Sequence, residues 1–396
     1  MASMYFLCLM LVFAGTCLKA KVFRSVHVST PLGSEILFIR TNLKETTLIA
    51  DSLKPMCKQN PCNDRLFCIN STSEDCLYLN IFTPINACST NHPKAVMVYI
   101  HGGSFVRGTG LAPVNFGNTL AEKGDVIVVT INYRLGIFGW LATGKYSVSD
   151  LHGNYGLKDQ QMALKWVNEN IKAFGGNPDK VTIFGDGDGA ESVGIHMTNN
   201  RSEDFFSSSI MMSAPFTIPF KTYYSALFQT QVIAQILGCS IHSLDVMITC
   251  LRANADSDDL LRAQNFFLSE RIKIGPSEFV NAIEPIGPVI DYDWVPATLV
   301  DAFKEARQKI SKPVMLGSVR EEGVRFLLGQ NKDAVSYVKV QGKVRGALVN
   351  RVDPAPTAQE LVTNYPLSCV NSTFLTLEKY LHKSQLIFSL LAPQGK

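Results

Sequence analysis

The chain has 396 residues, of which 46% are apolar and 18% are charged, and its formal net charge is +3. This length and apolar content suffice for a large core, in one α/β domain or in two to three smaller ones. The small positive charge is not gathered into any block of Lys and Arg. Nucleic acid and acidic membrane surfaces are therefore poor candidate partners.

The N-terminus has the pattern of a secretory leader. An apolar run from Tyr5 to Gly15 is followed by small residues near Thr16 to Ala20, which predicts a signal peptide over residues 1–20 and a mature chain over 21–396. A buried N-terminal helix is the alternative, but no amphipathic pattern accompanies the run. Neither this run nor any later one is long enough to cross a bilayer, so no transmembrane segment is predicted.

The cysteines favour an oxidising compartment. Removing the leader would leave an even number of them, which is typical of disulfides in a secreted chain. Metal binding is the alternative, because three cysteines lie close together, but no C-x-x-C pair or histidine partner completes a zinc pattern. We therefore expect neither a metal nor a cofactor. The eight cysteines are Cys57, Cys62, Cys68, Cys76, Cys88, Cys239, Cys250 and Cys369.

Three N-x-[ST] sequons, at Asn70, Asn200 and Asn371, agree with secretion. Each would accept a glycan if it were exposed in the secretory pathway. Together with the leader they predict a secreted glycoprotein.

Continuous apolar runs alternate with helical patterns along the chain. This alternation predicts an α/β fold with a parallel sheet that is covered on both faces. A helix-rich segment over Tyr223–Arg262 predicts a helical insertion. The predicted strands are Ala95–Ile100, Val126–Ile131, Val181–Phe184, Ser208–Met212 and Pro313–Leu316, and helices are predicted over Leu157–Ile171 and from Ala190 onward.

The third of these strands leads into a turn with an unusual sequence. Val181–Phe184 is followed by Gly185-Asp186-Gly187-Asp188-Gly189 and then by the helical pattern. A strand, a tight glycine turn and a helix are the context of the G-x-S-x-G nucleophile elbow. The serine position holds Gly187, so the sequence predicts the frame of a hydrolase without the atom that would attack an ester carbonyl.

Two segments resemble the signatures of a known family. Residues 74–84, Glu-Asp-Cys-Leu-Tyr-Leu-Asn-Ile-Phe-Thr-Pro, and the elbow segment are similar to both signatures of the type-B carboxylesterases, the cholinesterase-like branch of the α/β-hydrolases. The elbow departs from its signature only at Gly187 and Asp188. The resemblance runs from roughly residue 28 to residue 329, and residues 330–396 are not assigned. Segments at 101–105, 132–136, 153–160, 192–196, 287–291 and 320–323 also match in order.

The resemblance implies a fold and a domain. The fold is that of an α/β-hydrolase, with a mostly parallel central sheet flanked by helices, and the domain covers residues 21–396. Since the family's last core strands and helices should follow where this chain stops, we expect the C-terminal part to be truncated. The resemblance also implies a disulfide between Cys239 and Cys250. A second would join Cys76 to one of Cys57, Cys62 or Cys68.

The resemblance further implies a mechanism whose parts can be placed on this chain. A serine attacks the ester, a histidine takes its proton, a glutamate orients the histidine, and backbone N–H groups hold the oxyanion. The nucleophile position is Gly187, the acid position is Glu322, and the oxyanion positions are Gly103, Ser104 and Asp188. The family's histidine should follow the acid, but only His382 does, in a helical context without the expected glycine-flanked loop.

Two departures at the elbow weigh against catalysis. Asp186 and Asp188 flank the apex at Gly187, so neither is expected to replace the missing nucleophile. The family has a small residue where this chain has Asp188, and a carboxylate beside the oxyanion site is expected to repel the developing negative charge.

Three interpretations of function follow. The first is a secreted, catalytically inactive carboxylesterase-like protein that binds a small apolar ligand or an extracellular protein, because this branch of the fold has members that lost the triad and serve in adhesion. The second is a carboxylic-ester hydrolase with weak residual activity. The third is a truncated relative without function.

Overall fold

The computed structural model describes residues 54–62, 67, 71–84, 87, 92–144, 151–216, 220–273, 284–306 and 311–319. The chain divides into two compact units. The first comprises residues 1–264 and 286–316 and holds the sheet described below. The second comprises residues 265–285 and 317–396, of which only residues 265–273, 284–285 and 317–319 are described.

A six-stranded sheet organises the described residues of the first unit. The spatial order of its strands is β3-β5-β4-β6-β7-β8. Strands β5, β4, β6 and β7 pair in parallel, and β3 pairs with β5 in antiparallel register. The strands are β3 (Leu79–Phe82), β4 (Lys94–Ile100), β5 (Ile127–Ile131), β6 (Gly176–Asp186), β7 (Ser208–Met212) and β8 (Val314–Gly317).

The central strands are apolar because helices cover both faces of the sheet. All five residues of β5 are buried, and Val96, Val98 and Ile100 of β4 are completely buried. This is the mostly parallel, flanked sheet that the sequence predicts. A separate two-stranded parallel sheet, β1 (Met56–Cys57) with β2 (Thr72–Ser73), was not predicted.

Helices connect the strands, and the helix after β6 follows the elbow directly. The predicted helix over Leu157–Ile171 is α3, which begins two residues earlier. The predicted helix-rich segment holds α5, α6 and the first turns of α7. The helices are α1 (Asn118–Gly124), α2 (Gly136–Trp140), α3 (Tyr155–Asn170), α4 (Asp188–Thr198), α5 (Tyr223–Ile236), α6 (Leu244–Asn254), α7 (Ser257–Lys273) and α8 (Leu299–Ala306).

Two disulfides have both cysteines within the described residues. Cys239 is bonded to Cys250, as the family resemblance implied, and the bridge links the end of α5 to α6. Cys76 is bonded to Cys57, which settles the choice left open by the sequence. Cys62 is also disulfide-bonded.

A buried ion pair joins two of the segments that match the family. The Arg134 guanidinium donates from Nε and Nη2 to the Asp159 carboxylate at 2.7 Å and 2.8 Å. Both residues are buried, and the Arg134 backbone N–H donates to the same carboxylate. The carboxylate on α3 therefore fixes the chain just after β5.

A buried amide fixes the segment 287–291, which precedes α8 in the chain. The Asn154 side chain donates to the Val289 carbonyl and to the Asp291 carboxylate, and its own oxygen accepts from the Val289 N–H. The matching segments at 153–160 and 287–291 are thus joined by hydrogen bonds. These hydrogen bonds hold the two segments together in the fold.

Removing one charge of the buried pair should destabilise the protein strongly. In Asp159→Asn the Arg134 charge stays buried without its partner, and we expect a loss of about 3–5 kcal/mol in the free energy of unfolding. The matched control is Asp293→Asn, which breaks the exposed Arg201–Asp293 pair and should cost under about 1 kcal/mol. Urea unfolding measures both. Equal losses in the two variants would contradict the assigned role of Asp159.

Candidate functional site: the elbow and the turn it faces

The turn between β6 and α4 has the backbone of a nucleophile elbow. Gly187 stands at its apex with φ 55° and ψ −122°, a conformation that non-glycine residues rarely adopt. Its N–H donates to the Met212 carbonyl at 3.0 Å, and its own carbonyl accepts from Glu191 in the first turn of α4. The apex is therefore held on both sides, although no side chain projects from it.

The flanking glycines are required by close packing. A Cβ at Gly185 would lie 2.8 Å from the Ile100 carbonyl oxygen, and one at Gly189 would lie 2.2 Å from the same oxygen. A Cβ at Gly187, in contrast, would meet no atom within 4 Å. The frame of the elbow therefore excludes side chains at its edges, while its apex has room for one.

The turn after β4 faces the elbow and has an unusual backbone. Gly103, Ser104 and Phe105 have φ values of 139°, 58° and 57°. Successive backbone N–H groups in such a turn can form a concavity that binds anions. Gly103 and Ser104 are two of the three positions where the sequence places the oxyanion site, and Asp188 is the third.

The anion at this turn is the side chain of Asp188. Its Oδ1 accepts from the N–H groups of Gly103 at 2.8 Å and of Ser104 at 2.7 Å. Its Oδ2 accepts from the Phe105 N–H at 2.8 Å. The carboxylate is buried, with 6% of the residue exposed. Both oxyanion donors predicted in the turn are therefore engaged with this carboxylate.

This arrangement differs from the sequence-based expectation in one respect. Asp188 was expected to lie beside the oxyanion site and repel charge there, whereas its carboxylate lies within the site. The Phe105 N–H was not predicted as a donor. The sequence gives no sign of it, because a backbone N–H is present at every residue except proline and only the chain path decides where it points.

Burial and hydrogen bonding act on Asp188 in opposite directions. Burial raises the pKa of the Asp188 carboxyl above its ordinary value, and the N–H groups of Phe105, Gly103 and Ser104 lower it without cancelling the rise. Burial also raises the pKa of the nearby Tyr133 hydroxyl, and the charge of Asp188 raises it further. Tyr133 donates to the His101 carbonyl, so this hydroxyl helps to fix the start of the turn.

Asp186 supports the other side of the turn. Its Oδ1 accepts from the Tyr99 hydroxyl at 2.6 Å and from the Gly102 N–H at 3.3 Å. Burial is the main reason that the pKa of Tyr99 is raised, and Asp186 adds to it. Asp186 and Asp188 thus lie on both sides of Gly187, as the sequence predicts, and both bond to the turn.

The two histidines near the elbow are enclosed. His101 stacks on Tyr133 with the ring centres 4.3 Å apart, and its Nδ1 lies 3.0 Å from the Gly102 carbonyl oxygen. His196 on α4 has Nδ1 2.8 Å from Ser202 Oγ and Nε2 3.0 Å from Gln160 Oε1. Burial lowers the pKa of each imidazole to about 4. Both imidazoles are therefore neutral at pH 7 and are held within the fold by the contacts named here.

Of the remaining predicted site residues, only Asn200 is among the described residues. Glu322, His382, Asn70 and Asn371 lie outside the described residues. Asn200 is described and is exposed in the turn after α4. Its sequon shares Ser202 with the His196 hydrogen bond, so this serine has a structural reason to be present as well.

The described part of the chain contains no cluster of three His, Cys, Asp or Glu side chains placed to hold a metal ion. It also contains no helix that is long and apolar enough to span a membrane.

A sequence model described as the carboxylesterase family matches residues 41–365. The chain belongs to the carboxylesterase family. Among solved structures, a PNB esterase is similar with a TM-score of 0.66 and 30% identity, over 87% of this chain and 65% of that one. The α/β-hydrolase fold predicted from the sequence is thereby confirmed.

Curated relatives point to the same branch of the family. The cAMP-regulated D2 protein of Dictyostelium discoideum is 36% identical over 75% of this chain. A cholinesterase of Mus musculus is 39% identical over 67% of it, and neuroligin-3 of Mus musculus is 35% identical over 66%. These matches cover 55%, 43% and 32% of the three relatives. The matched region is thus between a third and just over half of their length.

Acidification should reduce stability through the buried histidines. Their pKa values are lowered from 6.5 to about 4 in the folded state, so the unfolded chain binds protons first as the pH falls. The contribution of the two histidines to the free energy of unfolding is therefore fully present above pH 6.5. It declines towards pH 4 by about 1.4 kcal/mol per pH unit for each histidine. The raised pKa of Asp188 acts in the opposite sense, because its contribution is lost as the pH rises through that pKa.

Unfolding of His196→Gln between pH 7.5 and pH 4.5 tests this dependence. The free energy of unfolding of the variant should fall less steeply with decreasing pH, because one of the two buried histidines is gone. The contribution of Asp188 is the same in the variant and in the natural chain, so it cancels when the two are compared. His242→Gln, at an exposed position, is the matched control and should keep the slope of the natural chain. A slope that is unchanged in His196→Gln would contradict the prediction.

Proposed function

We propose that this carboxylesterase-family protein is secreted, does not hydrolyse esters, and binds an extracellular protein in an adhesion-like role. The observation that carries the proposal is Gly187 at the apex of a turn that keeps the backbone of the elbow. Since glycine offers no nucleophilic atom, the covalent step of the family's mechanism has no group to perform it.

The state of the turn supports the loss of hydrolysis. A substrate carbonyl would need the N–H groups of Gly103 and Ser104 as its negative charge develops. Both donate to the Asp188 carboxylate, which is itself negative when ionised. A weak residual hydrolase, which would depend on these donors alone, has no observation in its favour.

The triad supports the same proposal from the sequence. Glu322 stands at the acid position, and His382 is the only histidine that follows it. We propose that no histidine serves as the base, because the context of His382 lacks the glycine-flanked loop of the family. The two histidines near the elbow, His101 and His196, are buried and bonded elsewhere.

Secretion and binding rest on separate observations. The predicted leader over residues 1–20, three sequons and the disulfides Cys57–Cys76 and Cys239–Cys250 suit an oxidising compartment. The binding role rests on the family, which has members that lost the triad and serve in adhesion. The percentage of sequence identity does not distinguish an enzyme from an adhesion protein here, since the cholinesterase is 39% identical and neuroligin-3 is 35% identical.

Restoring the serine alone should not restore activity. We expect Gly187→Ser to fold, because a Cβ there meets no atom within 4 Å and the strained φ costs about 1–3 kcal/mol. Its hydrolysis of a nitrophenyl acetate should equal that of the natural chain and of Gly187→Ala, the matched control for strain. Organophosphate-sensitive turnover in Gly187→Ser, absent from Gly187→Ala, would show that a working base exists.

The binding role is tested with the purified glycoprotein. Expression through a secretory pathway should give a monodisperse glycoprotein with one cooperative thermal transition. Failure of this step would favour the interpretation as a non-functional relative.

The labelled protein is then applied to intact cells and to cells treated with trypsin. We expect binding that trypsin abolishes. Binding to neither sample would contradict the proposed partner class, and a ligand-induced rise in melting temperature without cell binding would favour a small apolar ligand.

A further inference from the structure

We propose that the Asp188 carboxylate is a built-in ligand of the turn 103–105, which occupies the oxyanion site permanently and holds the turn in its anion-binding shape. This inference does not depend on the proposed binding role. It assigns to one side chain both the closure of the site and the support of the turn.

The contact that the Asp188 carboxylate makes is tertiary. Asp188 is the first residue of α4, and the N-cap position before it belongs to Gly187. The Asp188 carboxylate accepts from N–H groups that lie 83 to 85 residues earlier in the chain. Capping of the helix, which is done by the side chain at the N-cap, therefore does not explain the position of this carboxylate.

The turn contains strained backbone that its surroundings must hold. Ser104 and Phe105 both have φ near 57°, which is costly for residues with a Cβ and persists only where neighbouring groups fix it. The Phe105 side chain is buried against Trp140, with the ring centres 4.7 Å apart, so water has little access to the Phe105 N–H. The Asp188 carboxylate is bonded to the N–H groups of both strained residues.

The donors of the turn are already engaged with the Asp188 carboxylate. The three N–H groups use both oxygens of the carboxylate at 2.7–2.8 Å. A substrate oxygen would have to displace a group that is tethered to the chain and therefore present at high effective concentration. The same carboxylate would repel the charge that develops on that oxygen.

Chemical rescue distinguishes a ligand-like carboxylate from an ordinary structural residue. Asp188→Ala should melt roughly 4–10 °C below the natural chain, because the three donors lose their acceptor. Sodium formate, a carboxylate small enough for the vacated space, should then raise its melting temperature in a saturable manner. Sodium chloride at equal ionic strength should not reproduce the rise.

Two further variants serve as controls. Asp186→Ala also removes a carboxylate next to the turn. The Asp186 carboxylate accepts from one backbone N–H there, that of Gly102 at 3.3 Å, so formate should not raise the melting temperature of this variant. Asp188→Asn fills the space and places an NH₂ group against donors, so it should be destabilised and resist rescue. Equal responses to formate in Asp188→Ala and Asp186→Ala would overturn the proposal, as would an Asp188→Ala protein as stable as the natural chain.

Hydrogen exchange in the natural chain keeps the proposal testable if Asp188→Ala does not fold. Ser104 and Gly103 are partly exposed, so protection of their amides should depend on the bond to Asp188. We expect these amides, and that of buried Phe105, to exchange slowly. Fast exchange of Gly103 and Ser104 in the folded protein would overturn the proposal.

Discussion

The site depends on the close approach of two backbone segments. The Ile100 carbonyl at the end of β4 lies so near the elbow that a Cβ at Gly185 or Gly189 would overlap with it. Glycine at both positions lets the start of α4 pack directly against the turn that follows β4. This contact places the carboxylate of Asp188 within reach of the N–H groups of residues 103–105.

That approach fixes the residues of the frame but not the residue at the apex. The elbow glycines are fixed by packing, and the residues around them form buried hydrogen bonds. Ser192 donates to the Asp188 carbonyl and accepts from Gln160, which in turn contacts His196. Such residues serve stability whether or not the elbow carries a nucleophile, whereas a side chain added at Gly187 would meet no atom within 4 Å.

Many residues that define the family resemblance are structural in this molecule. Asn132 illustrates the point, because its side chain accepts from Thr109 and Gly110 and donates to the Cys76 carbonyl. Arg134 pairs with Asp159 in the same region. A match at these positions therefore indicates the fold, and only the residues at the elbow and at the triad positions are informative about hydrolysis. This is why a clear family assignment and the proposal of an inactive protein are compatible.

The sequence by itself determined the fold class, the central strands and the identity of the elbow. Continuous apolar runs such as Val126–Ile131 require burial on both faces, and the spacing of Gly185, Gly187 and Gly189 identifies the turn. It also determined that Gly187 carries no nucleophile, since this is a matter of residue type. Only the tertiary structure decided that Cys57 is the partner of Cys76 and that the Asp188 carboxylate accepts from the N–H groups of residues 103–105. Both outcomes depend on distances between segments far apart in the chain, and a side chain's type does not tell which of several nearby groups it will reach.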